Sequence, residues 1–372
     1  MNGPAPNADM TPENQGNPPI PTQGSALDTL LEAAILAPSG DNLQPWRFHV
    51  DCEHRAITLD VDPDRDPSPM NAGQRMSRIS LGAALENMVR TAEHHGWGYE
   101  IQESSGPGLV TFSVAKDTGP AMIEPLLYAR VTNRRVYDGT ELPNDLLQRL
   151  SGPGRELPSV RVTVITDRSR RSRFVELIAK ADALMLTNHK IRAAFLANVR
   201  FDVAPNAKVT EGLSLGSLEV SASDRAFLRL MKSWSIPDRL LRMLGARSTF
   251  ARVARKLAGS ASGFCVVTAL DRGPMIDIQT GRAWQDKWLA FTHEGLFAQP
   301  MMSLLVLQNI LEVEAPDFFS CSDREVASEL VGSFQKLANG SSEGYPAAMM
   351  RFGFAASPQT RVGRLSPEQL AS

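Results

Sequence analysis

Two stretches of this chain that lie far apart align with each other without a gap, and this repeat limits the possible folds more than any other feature. RISLGAALENMVRTAEHHGW at residues 78–97 and DIQTGRAWQDKWLAFTHEGL at residues 277–296 share glycine, alanine, histidine and glycine at equal positions. In both, apolar residues recur at the spacing of an amphipathic helix, and a glycine follows the last turn. We therefore predict two related halves that pack through these helices.

The remaining pattern predicts an α+β fold with mostly antiparallel sheets flanked by helices. A second echo relates the helical pattern at 27–36 to NDLLQRL at 144–150, each near the beginning of its half. The strand candidates are short apolar or alternating runs: WRFHV, AITLDV, LVTFSVA, SVRVTVIT, GFCVVTAL and AAMMRFGFA. We predict a first half at 25–125 and a second half at 126–372, which contains a helical insertion at about 170–260.

The first 24 residues are rich in Pro, Asn and Gly and lack the apolar core of a signal peptide, so 1–24 is predicted to be a disordered tail. With 372 residues, 42% of them hydrophobic, the chain can bury a large core or two fused ones. A net charge of -2 gives no overall bias towards nucleic acid or membrane. No apolar run has the length of a membrane span, and we expect a cytoplasmic protein.

Cysteine and histidine usage argues against several other chemistries. Cys52, Cys265 and Cys321 are isolated, and Cys265 lies in an apolar strand pattern where a small hydrophobe is expected. The adjacent His94 and His95 point to different helix faces, and the histidines show no metal-ligand spacing. No GxGxxG follows a strand, so a nicotinamide cofactor is not expected in a Rossmann domain.

The segment APSGDNLQPWRF at residues 37–48 joins a helix to a strand. Pro38 biases the preceding residue out of the helical region and so ends the helix. The connection then supplies Ser39, Asn42 and Gln44, whose hydroxyl and amide groups can hydrogen-bond a heteroaromatic ring. Polar turns of this composition are also common as ordinary helix-to-strand connections.

The segment RVTNRR at residues 130–135 places Arg130, Thr132 and Arg134 at alternate positions. In an extended backbone these side chains point to one side, so two guanidinium groups and a hydroxyl would converge, as a phosphate requires. The alternative is a solvated basic turn that pairs with surface carboxylates.

Together these segments resemble the nitroreductase family of FMN-dependent oxidoreductases, in which one such segment lines the flavin and the other holds its phosphate. In typical members, which are homodimers, the two segments of one site come from different subunits. Here both stand on one chain, which the internal repeat explains if the chain is a fused pseudo-dimer. The resemblance is greatest to Acg-type mycobacterial proteins, single chains with two nitroreductase-like halves and an inserted lid over the flavin.

The resemblance implies a third element near the C-terminus. MMRFGFAASPQTRVGRLSPEQ at residues 349–369 is similar to the family's last strand and its basic exit, where Arg364 best matches the phosphate contact and Arg361 is the second choice. Val362 stands where the family pattern has a second basic residue. The resemblance also implies one intact flavin site per chain, and a monomer or a weak homodimer.

The insertion contains helical patterns at 172–201 and 222–256, which flank a loop with Pro, Asn and Gly. Between residues 225 and 256 there are nine Lys or Arg and one acidic residue, Asp238. Three interpretations remain open: a solvated helical face, a lid whose cations face an anionic cofactor or substrate, and a nucleic-acid patch, for which no binding motif is present.

The function that the resemblance implies is an FMN-dependent oxidoreductase. NAD(P)H, as a transient co-substrate, would reduce the flavin, and an electron-poor substrate would then take the electrons. This scheme requires no catalytic side chain, and none is predicted. A flavin-sequestering or sensing protein with an occluded FMN is one alternative. A pathway-specific flavin dehydrogenase acting on a tethered or peptide substrate is another.

Overall fold

The computed structural model describes residues 25–104, 108–115, 121–152, 154–233, 243, 245–313, 318–340 and 342–370. The predicted tail at 1–24 lies outside them. The described helices are α1 Ala26–Ile35, α2 Arg75–His94, α3 Pro125–Ala129, α4 Asn144–Ser151, α5 Arg168–Thr187, α6 His189–Ala197, α7 Ala222–Ser233, α8 Ala246–Gly259, α9 Pro274–His293, α10 Ser303–Glu312, α11 Cys321–Asn339 and α12 Pro367–Leu370.

Two four-stranded antiparallel sheets form the centre of the fold. The strands are β1 Trp46–Asp51, β2 Ala56–Val61, β3 Tyr99–Glu103, β4 Val110–Val114, β5 Val160–Ile165, β6 Val199–Arg200, β7 Leu213–Ser214, β8 Gly263–Ala269, β9 Phe297–Pro300 and β10 Tyr345–Gly353. One sheet has the order β1-β2-β4-β3 and the other β5-β8-β10-β9, so in each the third strand along the chain lies at the edge beside the fourth.

The mixed helix and sheet class is confirmed, and all six predicted strands are present. The edge strands β3 and β9 were not predicted: FAQP in β9 is too short for a pattern, whereas YEIQE in β3 does alternate apolar and polar residues but is only five residues long. In the first sheet a tight turn joins the first two strands, whereas in the second sheet the helical insertion separates them. The two sheets therefore share a strand order and differ in what their loops carry.

The two helices of the sequence repeat cross at the centre of the molecule. α2 and α9 each have 20 residues, and their glycines permit a close approach: a Cβ on Gly82 would collide with the carbonyl of Ile278, and a Cβ on Gly281 with that of Ile79. These contacts are reciprocal, because each glycine meets the residue three positions before the other, which is the pattern of a two-fold axis. An ion pair between Arg78 and Asp277, which are 199 positions apart like the two glycines, crosses the same interface at 2.7 Å.

Both repeat helices also end in the same way. Gly96 and Gly295 have left-handed backbone angles (φ 64° and 74°), and in each case the next residue donates its N–H to a carbonyl five residues earlier, Trp97 to Ala92 and Leu296 to Phe291, at 2.9 Å. This geometry closes the last turn and favours glycine, which has no Cβ penalty at positive φ. The predicted glycine stops are confirmed.

The insertion is helical, as predicted, but its first helix is interrupted. Asn188 has an extended backbone and accepts hydrogen bonds from the N–H groups of Lys190 and Ile191, so α5 ends and α6 begins at this residue. The described residues of the predicted helix at 222–256 form α7 and α8, and residues 234–242 and 244 of that prediction lie outside the described residues. The short parallel strands β6 and β7 pair with each other within the segment that connects α6 to α7.

Several sequence interpretations concern local chemistry. Cys265 is fully buried in β8, and burial raises the pKa of its thiol to about 12, as suits a packing residue. Among the described residues, no three His, Cys, Asp or Glu side chains are grouped as metal ligands. In the same residues, no helix combines the length and the apolar character needed to cross a membrane.

Candidate functional site

The turn after α1 has an unusual backbone. Asp41, Asn42 and Gln44 all have positive φ (45°, 60° and 53°), a region that residues with side chains rarely adopt. The hydroxyl of Ser39 accepts the N–H of Gln44 at 3.0 Å and helps to fix this shape, while Pro38 is buried at the end of the helix. Such strained backbone persists only where surrounding contacts hold it, and it clusters at functional sites.

The two amide side chains of this turn are buried and bonded to distant segments. Asn42 donates to the carbonyls of Thr210 (3.1 Å), Gly212 (3.4 Å) and Gly363 (3.3 Å). Gln44 donates to Thr210 at 2.8 Å and accepts the N–H of Leu365 at 2.9 Å. The predicted ring-lining turn is thus brought together with the insertion and with the C-terminal segment.

Arg130 lies beside this turn, where the chain leaves α3 in an extended conformation. Its guanidinium donates to the carbonyl of Leu36 at 2.9 Å and stacks over the ring of Trp288, 4.7 Å from the ring centre. The side chain is 7% exposed, and its Nε has no hydrogen-bond partner. A buried donor without an acceptor is costly, so an absent ligand atom is a physical explanation for it.

Arg364 reaches the same place from the C-terminal segment. Its guanidinium donates to the carbonyls of Leu36 (3.4 Å) and Ala37 (3.0 Å) and to Oδ1 of Asn42 (2.9 Å). Its Nε is also buried and has no partner. Arg130 and Arg364 therefore share one carbonyl oxygen, and the buried Nε of each has no acceptor.

The charges of these arginines are not balanced by acids. Within the described chain, no carboxylate forms an ion pair with Arg130, Arg364 or Arg361; the guanidinium of Arg361 donates to the carbonyl of Tyr128 at 2.7 Å. Burial, then the like charges of Arg364 and Arg361, lower the pKa of Arg130 to about 9. Burial lowers the pKa of Arg364 to about 10 and also lowers that of Arg361. An anion bound here would relieve this repulsion.

Thr132 and Arg134, predicted to converge with Arg130, lie in different surroundings. Thr132 forms a backbone bridge with Ala298 of β9. Arg134 donates through its guanidinium to the carbonyl of Ser217 at 3.0 Å and through its backbone N–H to Glu219 at 2.9 Å. Burial lowers the pKa of Arg134, whereas the charges of Asp41 and Glu219 act in the opposite direction. The structure thus groups Arg130 with Arg364 and Arg361, and Arg134 with the insertion.

Two buried carboxyl groups stand at the turn. Asp41 accepts a hydrogen bond from the amide of Asn198 at 3.0 Å, and burial raises its pKa. Asp66 lies against Gly40, and burial, together with the charge of Asp41, raises its pKa to about 6. Sequence reasoning did not select either residue, since single aspartates in polar turns carry no distinguishing signal.

Residues 198–219, called here the insertion loop, cover this turn. Besides the contacts of Asn42 and Gln44, ion pairs join Arg65 to Glu211 at 2.5 Å and Arg135 to Glu219 at 2.7 Å. These two ion pairs and the amide hydrogen bonds of Asn42 and Gln44 hold the insertion loop over the turn. Trp288, which supports Arg130, was predicted only as an apolar helix position; the repeat alignment gave no sign of its stacking role.

No protein-family model matches the chain. The uncharacterized protein MT1398 of Mycobacterium tuberculosis is 23% identical over 356 residues, which cover 92% of this chain and 48% of that protein. The chain thus spans about half the length of this curated relative.

Among solved structures, the chain is similar to the FMN-dependent nitroreductase NfnB of Mycobacterium smegmatis in complex with NADPH (17% identity, TM-score 0.33, 66% of this chain and 94% of that one). It is also similar to iodotyrosine deiodinase bound to FMN and 3-iodo-L-tyrosine (15%, 0.32, 65% and 94%) and to a nitroreductase with bound FMN from Desulfitobacterium hafniense (15%, 0.30, 67% and 97%). Likeness at this level assigns no function, which has to be inferred from the site.

Proposed function

We propose that this protein is an FMN-binding oxidoreductase whose cofactor phosphate lies between Arg130 and Arg364. The observation that carries the proposal is the pair of buried guanidiniums with unused Nε donors and no carboxylate partner. A phosphate dianion supplies both the negative charge and the several acceptor oxygens that such a pair lacks. Arg361, which is exposed at the edge of this group, would add a third, outer cation.

The residues of the turn fit the remainder of the cofactor. Oδ1 of Asn42 accepts a hydrogen bond from Arg364, so the proposed phosphate site is in direct contact with the turn. Pro38, Ser39, Asn42 and Gln44 would border the ring and hold its orientation. Bound flavin supplies two-electron transfer from NAD(P)H to an electron-poor acceptor, and the chain supplies binding, orientation and electrostatics.

We further propose that the fold is an internally duplicated nitroreductase fold with halves at 25–125 and 126–372. The shared strand order, the reciprocal glycine contacts and the matching helix ends support this assignment. On this view the chain is a pseudo-dimer and needs no second subunit to complete the site. Arg134 and Thr132 then belong to the wall that faces the insertion loop more than to the phosphate pocket.

A second candidate function is flavin sequestration, and the position of the insertion loop favours it. The loop uses its carbonyls at Thr210 and Gly212 to bond the same amides that would contact the ring. A loop that opens on a slow timescale gives an enzyme, whereas a loop that remains closed gives a protein that stores or senses flavin.

Purified protein tests both candidates. We expect a yellow protein, or one that takes up FMN at about one per chain, and bleaching of its visible absorbance by NADPH without oxygen. A colourless protein that ignores added FMN would refute the flavin proposal. Reduction by dithionite but not by NADPH would support sequestration.

A variant with a loosened insertion loop tests whether this loop opens to admit NADPH to the flavin or keeps NADPH out. In the double variant Asn198→Ala/Glu211→Gln, the contacts to Asp41 and Arg65 are removed while Arg130 and Arg364 are untouched. Faster bleaching than in the parent supports a gating loop. The exposed pair Arg200 and Asp202 provides a control, since Asp202→Asn alters the same loop without touching the turn.

A further inference from the structure

Helix α7 of the insertion is apolar on more than its inner face. Leu228 packs into a core cluster and Met231 is buried, as expected of an inward face. Phe227 and Leu230, one position earlier on the helix in each case, are 39% and 43% exposed. A surface helix normally carries polar residues at such positions.

Helix α8 extends this apolar surface. The ring of Phe250 lies 6.3 Å from the ring of Phe227, and Val253, one turn further along α8, is 51% exposed. Phe227, Leu230, Phe250 and Val253 form what we call the apolar patch. Single exposed hydrophobic residues are ordinary, but a patch that continues across two helices indicates a contact surface.

The two helices that carry the apolar patch are also rich in basic residues. The described residues of α7 and α8 contain seven Lys or Arg and one acid, Asp224. Arg247 and Arg255 are engaged by Asp323 and Glu176. The exposed Arg252 and Lys256 have no ion pair within the described part of the chain.

We propose that the apolar patch and its cations dock on an anionic phospholipid surface, with α7 and α8 lying on the membrane and not spanning it. Apolar side chains beside Lys and Arg match such a surface, because the long basic side chains reach the headgroups while the apolar groups enter the acyl boundary. The expectation of no membrane partner rested on the charge of the whole chain, which averages out this local excess, and on the lack of a spanning apolar run, which does not bear on surface docking.

Vesicle sedimentation of the full chain tests the proposal. We expect co-sedimentation with phosphatidylcholine vesicles that contain phosphatidylglycerol, weak binding to phosphatidylcholine alone, and a decrease with added salt. Phe227→Ser/Leu230→Ser should lower the partition coefficient roughly tenfold or more. Arg252→Gln/Lys256→Gln should lower it roughly tenfold on the anionic vesicles only. Leu270→Ser and Val326→Ser, which remove exposed apolar side chains elsewhere, should have no effect.

Three results would overturn this inference. The first is equal sedimentation with and without phosphatidylglycerol. The second is unchanged binding by the Phe227→Ser/Leu230→Ser variant, which would place the contact elsewhere, for example at residues 234–242. The third is a larger species without vesicles that disappears in this variant, because the occupant would then be a second copy of the chain. Circular dichroism verifies that each variant is folded, and none of these results depends on flavin binding.

Discussion

The C-terminal ends of α1 and α4 both hold buried cations against backbone carbonyls, but they differ in what balances them. At α1, Arg130 and Arg364 share the carbonyl of Leu36 and keep unused donors. At α4, Lys287 is 4% exposed and donates to the carbonyls of Leu150 (3.0 Å) and Gly152 (3.4 Å). Cations are favourable at helix C-termini, so the carbonyls explain why each group is there.

Carboxylates distinguish the two ends. Beyond α4, Arg155 bonds to Glu86 at 2.6 Å and to Glu93 at 2.8 Å, and its backbone N–H donates to Asp286. The acids of this group match its cations, which also include Arg282 on Glu86. The cations at the end of α4 are therefore matched by carboxylates, whereas Arg130 and Arg364 at the end of α1 have no carboxylate partner among the described residues. This difference supports one flavin per chain.

The largest expected effect removes the unbalanced cations. Arg130→Ala/Arg364→Ala should weaken FMN binding by roughly 3–6 kcal/mol, since each charge-assisted contact contributes about 1.5–3 kcal/mol. Riboflavin, which has no phosphate, should lose much less affinity. Flavin titration followed by fluorescence measures both. Arg161→Ala is the matched control, because this arginine also donates to a carbonyl, that of Glu343, but on the surface; FMN binding that survives in the double variant would contradict the pocket.

The next effect concerns the close crossing of α2 and α9, because the comparison of the α1 and α4 ends assumes that the two halves are related by this crossing. Gly281→Ala should lower the free energy of unfolding by about 1–3 kcal/mol or more, because the new Cβ meets the backbone carbonyl of Ile79, which cannot move freely. Gly332→Ala on α11 is the control: its Cβ enters open space, and alanine should stabilise the helix by about 0.5–1 kcal/mol. Urea denaturation of both variants measures the difference. Similar values for the two would show that the helices do not cross closely.

The sequence was sufficient to predict what repeats or alternates. The central helices, their glycine stops and six strands follow from apolar spacing and turn residues, which act over short distances. The edge strand β9 did not, because FAQP is too short for a pattern and is held by pairing with β10. The edge strand β3 was not predicted either, although YEIQE alternates apolar and polar residues; it pairs with β4.

The candidate site shows where sequence reasoning ends. Alternation at 130–134 predicts a common target for Arg130 and Arg134, but Arg130 donates to the carbonyl of Leu36, whereas Arg134 donates to Ser217 and Glu219 of the insertion loop. The resemblance to a family, and not a local pattern, selected Arg364 as a partner of Arg130; the structure brings the two to the carbonyl of Leu36. Likewise, Trp288 and Asp66 acquire their roles only from neighbours brought in by the fold.

The third effect, expressed per pH unit, tests the buried carboxyl of Asp66 at the turn after α1. Because the pKa of Asp66 is raised from 3.8 to about 6, the folded protein binds this proton more tightly than the unfolded chain. The free energy of unfolding should therefore fall as pH rises through this window, with a slope of up to about 1.4 kcal/mol per pH unit from this group. Asp66→Asn should flatten that part of the profile. Urea denaturation at pH steps from 4 to 7 checks it, and an unchanged slope would show that Asp66 is not the group responsible.

The smallest effect is expected at the C-terminal end of α4. There Lys287→Met replaces the buried ammonium by the residue type found at the equivalent position of the repeat, Met88. The hydrogen bonds to Leu150 and Gly152 are lost, but the desolvation cost of the ammonium is removed as well, so the free energy of unfolding should change by only about 1 kcal/mol. FMN should remain at one per chain, because Arg155 is still balanced by Glu86 and Glu93 and offers no free charge. Flavin absorbance against protein concentration measures the ratio. A ratio that rises towards two would mean that Lys287 alone blocks a second pocket. The C-terminal ends of α1 and α4 would then differ by one side chain and not by their whole set of charges.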